Sequence, residues 1–190
     1  MNTAIHLQLK AIISEIHAVS DRTAAMTSLS ADQSFHARPY PGAWSASDCI
    51  QHLSLTTRAY LPLIDPLLRA GGSPFTGRYR RDLLGTLLCW AIEPPPRMKS
   101  KTGAAFVPSG EMAKETIMGE FAALQRELEY RIEKANGLNL NRLRIVSPFN
   151  QRVTYNLYSG FRILLAHQRR HLFQAEQATL LLSRGAAAFL

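Results

Sequence analysis

The sequence predicts an all-α protein built as a four-helix bundle with long connections. Three observations carry this. Four stretches repeat their apolar residues at spacings of three and four, the period of a helix face. Start and stop signals bracket most of them. The segments between are rich in Pro, Gly and Ser. Four amphipathic helices bury their stripes most simply against one another.

The first stretch covers residues 2 to about 26, with Ile5, Leu9, Ile12, Ile16 and Val19 on one face. His6 and His17 lie on it about three turns apart, too far to share an ion, and read as surface or interface residues. Residues 27 to 46 form a connection ending in Pro39-Tyr40-Pro41-Gly42-Ala43-Trp44, with His36 as a solvated loop residue. Ser45 then reads as an N-cap, and Asp48 three residues on completes a capping box with Asp in place of Glu. Cys49, Leu53, Thr56, Tyr60 and Leu63 form the inward stripe, with His52 beside it. Pro62 and Pro66 should kink this helix or end it early, with its regular part finishing between Tyr60 and Ala70.

After a loop over 71 to 81, Asp82 to Ile92 reads as a short helix stopped by Glu93-Pro94-Pro95-Pro96. The connection that follows, up to Pro108, is long enough to be a lid or a mobile segment. Ser109 is the expected cap of the third long helix, with Glu111 in its first turn and Ile117, Phe121, Leu124, Leu128 and Ile132 as its stripe; Asn136-Gly137 ends it. Residues 138 to 155 read as irregular, with room for a short extended pair around 143–146 and 152–155. The last helix runs from about Asn156 to Ser183, with Gly185 as its terminator and an apolar tail beyond.

A chain of 190 residues suits a single domain over 1–190, and a 46% apolar fraction excludes wholesale disorder. No apolar run is long enough to span a bilayer, and no export signal is read, so a cytoplasmic location is expected. Cys49 and Cys89 suggest no disulfide framework. The net charge of +8 comes mostly from 17 Arg, spread along the chain. Its densest groups, Arg78 to Arg81 and Arg97 to Lys101, are too short for a nucleic-acid arm. They remain compatible with an anionic small molecule.

The chemistry concentrates in His167-Gln168-Arg169-Arg170-His171. Histidines four apart on a helix stack one turn above the other, a spacing that lets two imidazoles share one metal ion. The same spacing also occurs in polar helix faces, so the pair alone leaves both readings open. His52, on a capped helix beside an inward stripe, is the natural third ligand. Glu176, two and a half turns beyond His167, points away, so no carboxylate stands out as a general base.

Pro41-Gly42-Ala43-Trp44-Ser45-Ala46-Ser47-Asp48-Cys49-Ile50-Gln51-His52-Leu53 resembles the Trp-Ser-x-x-(Glu/Asp)-x-x-x-His-Leu signature of the DinB-like superfamily, the DinB/YfiT type. His167-Gln168-Arg169-Arg170-His171-Leu172-Phe173-Gln174 resembles that family's C-terminal His-x-x-x-His-x-x-Gln segment. The resemblance covers nearly the whole chain in helix order. It implies an up-down-down-up bundle, often dimeric, with a divalent ion, nickel or zinc, on residues matching His52, His167 and His171. It also implies a metal-dependent hydrolase or a transferase using a low-molecular-weight thiol, with a non-catalytic, metal-stabilised dimeric module as the alternative. Trp44 and Gln174 are the candidate substrate-binding residues, and a small molecule rather than nucleic acid is the expected partner.

Overall fold

The computed structural model describes residues 4–98, 101–110 and 112–187, with side chains described as far as 184. It is mostly helical. Its elements in order are α1 (Leu7–Leu29), α2 (Asp32–His36), α3 (Ala46–Ala70), α4 (Leu83–Ile92), a 3-10 turn (Ala104–Phe106), α5 (Lys114–Lys134), β1 (Arg144–Ser147), β2 (Asn150–Asn156) and α6 (Leu157–Ala187). Among the described residues no helix is long and apolar enough to cross a membrane.

The four long helices α1, α3, α5 and α6 share one core. α1 packs on α5 and α6, and so does α3. Helices α1 and α3 therefore lie diagonally opposite, as do α5 and α6. The expected stripes fill the middle: Leu9, Ile12, Ile16 and Val19 from α1, Leu53 and Tyr60 from α3, Ile117, Phe121 and Leu128 from α5, and Leu157, Phe161 and Leu164 from α6 are all buried. Burying each such side chain is worth roughly 1.5–3 kcal/mol, so the four stripes supply most of what holds the helices together.

Local chemistry sets several of the ends. The Ser45 hydroxyl accepts from the Asp48 N–H at 3.0 Å, and the Asp48 carboxylate accepts from the Ser45 N–H at 3.0 Å, the reciprocal box read from the sequence. Asp82 caps α4 by accepting from the Gly85 N–H at 2.9 Å. The Asn156 side chain accepts from the Ser159 N–H at 2.7 Å at the start of α6. His6 caps α1, its Nδ1 accepting from the Gln8 N–H at 3.2 Å.

Four expectations need correction. The sheet makes the chain not purely helical: β1 and β2 form an antiparallel hairpin, pairing Arg144 with Asn156, Ile145 with Tyr155 and Val146 with Thr154, close to the extended pair allowed above. A short helix, α2, interrupts the connection over 27–46 because Phe35 finds full burial there. Pro62 and Pro66 lie inside α3, which runs to Ala70, the far end of the range expected for it, held by Ile64 and the rest of its buried stripe. The third long helix starts at Lys114, not after Ser109, and its N-cap Ala113 makes no side-chain cap; Glu111 lies outside the described residues. Gly185 does not terminate α6, which runs on to Ala187. A glycine costs a helix only about 1 kcal/mol, too little to stop one of 31 residues.

Candidate metal centre

Helices α3 and α6 face each other, and their histidines meet. One nitrogen from each of His52, His167 and His171 can be chosen so that the three lie within 4.8 Å of one another. His52 Nε2 and His167 Nε2 are 3.2 Å apart. Two nitrogens on one tetrahedral zinc sit about 3.3 Å apart at ordinary bond lengths, so this pair already has the right separation. His52 and His171 are buried and His167 is half-buried.

The tautomer of His52 is set by its other nitrogen. Nδ1 donates to the Phe106 carbonyl at 2.7 Å, leaving Nε2 with its lone pair facing the cluster. This is the backbone hydrogen bond by which metal-binding imidazoles are oriented. Nδ1 of His167 and Nδ1 of His171 are buried without a hydrogen-bond partner. Buried polar nitrogens without partners cost free energy; an ion bound to Nδ1 of His171 would relieve that cost there, whereas Nδ1 of His167 points away from an ion held on its Nε2.

All three rings are held neutral. Burial lowers the His52 pKa from its ordinary 6.5, opposed by the bond to Phe106. Burial lowers His167 far below that value, and the neighbouring His171, His52 and Arg170 push the same way. His171 is pushed down to about 3 by burial, then by His52 and Arg170, with the Gln174 side chain opposing. Neutral imidazole is the form that binds metal. Three such donors on two packed helices fit a metal ion that accepts imidazole ligands.

An aromatic collar surrounds the cluster. The Trp44 ring lies 5.0 Å from His52 and 5.7 Å from His171. Phe149, at the hairpin turn, lies 5.6 Å from His167 and 4.9 Å from Phe106. Below it, Tyr60 sits 6.0 Å from Phe149, and its hydroxyl meets that of Tyr155 at 2.5 Å. Gln168, between the two α6 histidines, is fully buried and exchanges amide hydrogen bonds with Gln125 of α5 at 2.7 and 3.2 Å. That exchange fixes the rotation of α6 and so the direction of both rings.

Trp44 lies against two of the three rings, and the Gln174 side chain meets that of His171. The other histidines do not: His6 caps α1, His17 pairs with Glu129 at 3.0 Å, and His36 is exposed at the end of α2. Glu176 faces outward to Arg22 at 2.8 Å. Cys49 is fully buried, and burial, with Asp48, pushes its thiol pKa up, so it is an inert packing residue. Arg97 is drawn off to α4, where it lies over the Trp90 ring and donates to the Trp90 carbonyl at 2.7 Å. Lys99 lies outside the described residues. Phe106, Phe149 and the Gln125 partner of Gln168 went unread, because the first two come from loops and the third looked like a polar position on a helix.

This is a largely helical protein in which three neutral histidines converge from two helices as a cluster that could hold a metal ion. The chain belongs to the DinB superfamily, whose family model matches residues 15–175. No curated protein and no solved structure matches it.

Proposed function

We propose that this DinB-superfamily chain is a metal-dependent enzyme, one domain folded as an up-down-down-up four-helix bundle. In it His52, His167 and His171 hold a divalent ion, nickel or zinc, and leave a position open for a small-molecule substrate. The carrying observation is the convergence of three neutral imidazoles, each with a ligand nitrogen within 4.8 Å of the others. A bound ion of this kind lowers the pKa of a water or of a thiol, supplying a nucleophile for hydrolysis or thiol transfer.

The chain's own residues prepare the site. The Phe106 carbonyl and the Gln125–Gln168 pair orient the rings. Trp44 and Phe149 flank the histidine rings and would offer flat apolar surface to a substrate. Gln174, one turn beyond His171 and in contact with it, would hold a polar group of the substrate.

One observation favours the alternative, a non-catalytic metal-stabilised module: no carboxylate or cysteine joins the three histidines among the described residues. A base would then have to come from the thiol or water itself. Pairing with a second copy is part of the proposal. It rests on α4 rather than α1, because Leu83, Leu87 and Trp90 form an exposed apolar row on that helix.

Elemental analysis of untagged protein tests the ion: about one equivalent is expected in the wild type, and none in His52→Ala or His171→Ala. Absence of metal after supplementation would sink the reading. Turnover of ester, amide and thiol-transfer substrates, abolished by His171→Ala, separates enzyme from module.

A further inference from the structure

Arg169 and Arg170 are adjacent in sequence and opposite in fate. Arg169 is fully engaged: its guanidinium bridges Glu93 at 2.5 and 2.8 Å and Glu15 at 2.5 Å. Glu15 also takes Arg162 at 2.7 Å. Arg170 is half-buried and has no carboxylate and no hydrogen-bond acceptor among the described residues. Residues three and four apart on a helix are surface neighbours, so Arg170 shares a face of α6 with His167 and Gln174.

Charge balance makes this arrangement informative. Three neutral imidazoles leave the full +2 of a divalent ion uncompensated. Arg170 adds another positive charge in a partly desolvated place, and the cluster of ligand-type side chains holds no acid. Buried or half-buried charge is tolerated when something pairs it. In this chain the neighbouring carboxylates Glu15 and Glu93 are spent on Arg162 and Arg169. An anion from outside would compensate both charges.

We propose that Arg170 is the substrate-anchoring residue of the site and that the substrate carries a carboxylate. A single planar guanidinium matches one carboxylate in a two-bond fork, whereas a phosphate with its higher charge would call for more donors than one arginine. The inference rests on the three-histidine reading above. It deepens that reading by naming the substrate class. Trp44 and Phe149 would flank the rest of a molecule so held.

The test is equilibrium binding to zinc-loaded protein, with acetate, succinate and inorganic phosphate as probes, and with metal content measured on every sample. Arg170→Gln and Arg170→Lys are the variants. Expected: both retain the wild-type metal content, carboxylate affinity falls roughly ten- to a hundredfold in Arg170→Gln, the range for loss of a charged hydrogen bond, and Arg170→Lys recovers part of it. Unchanged carboxylate binding in a metal-loaded Arg170→Gln protein overturns the inference while leaving the metal reading intact. Phosphate binding more tightly than either carboxylate, with the same dependence on Arg170, overturns the substrate class. If the wild type takes up no metal, the metal reading falls first and this inference falls with it.

Discussion

Gln168 shows how a single residue can govern the geometry of the centre without touching an ion. It is buried between His167 and His171, and its amide is matched atom for atom by Gln125. A paired buried amide adds little net stability, but a half-removed pair strands a polar group in the core. Gln125→Leu should therefore cost about 2 kcal/mol, read as a shift in the urea midpoint. Gln125→Leu with Gln168→Leu should be closer to the wild type than either single variant. If the double variant is the least stable of the three, the two amides do not act as a pair.

Among the elements, α4 depends on one small residue. Gly85 faces α6 so closely that a Cβ built there would lie 2.3 Å from the Ser159 Cβ and 2.2 Å from its Oγ. Ser159 cannot easily yield, because its hydroxyl and N–H are both engaged, with Asp82 and Asn156. Alanine would gain about 1 kcal/mol in helix propensity and lose more to overpacking. Gly85→Ala should give a net loss of about 1–3 kcal/mol, visible as a lowered Tm. An unchanged Tm would mean that α4 does not dock this tightly. The apolar row on the far side of α4 makes the same helix the place to examine pairing: Trp90→Glu should shift a dimer towards monomer in sedimentation, with no effect on metal content.

At the scale of the whole molecule, the histidines link stability to pH. The unfolded chain takes up protons near the ordinary histidine value of 6.5, while folded His171 resists them down to about 3, and His52 and His167 are lowered as well. The unfolded state thus binds more protons, and stability rises with pH. It is complete above about 6.5 and is lost as pH falls from there towards 3. Each unit of pKa difference is worth about 1.4 kcal/mol, so the metal-free protein should lose several kcal/mol in mild acid. A bound ion adds stability at neutral pH by mass action, and protons displace it over the same range. Urea midpoints at pH 7.5, 6 and 5, with and without zinc, check this. A profile equally flat in wild type and in His167→Asn would refute it.

The sequence by itself determined the long helices, the capping box at Ser45 and Asp48, and the histidine pair His167 and His171 on one face of α6. Each depends on local spacing: apolar residues at three and four, a Ser three before an acid, two imidazoles four apart. Such patterns are set by helix geometry whatever the helix packs against. Tertiary structure alone decided the rest. It carried α3 through two prolines and moved the start of α5, because burial of a stripe outweighs a local breaker or cap. It brought Phe106 and Phe149 to the histidines from segments with no periodicity, and it paired Gln168 with Gln125 across 43 residues. The same long-range packing gave Arg169 two carboxylates and left Arg170 without one. Adjacent arginines look identical in sequence, and only their surroundings in the fold tell them apart.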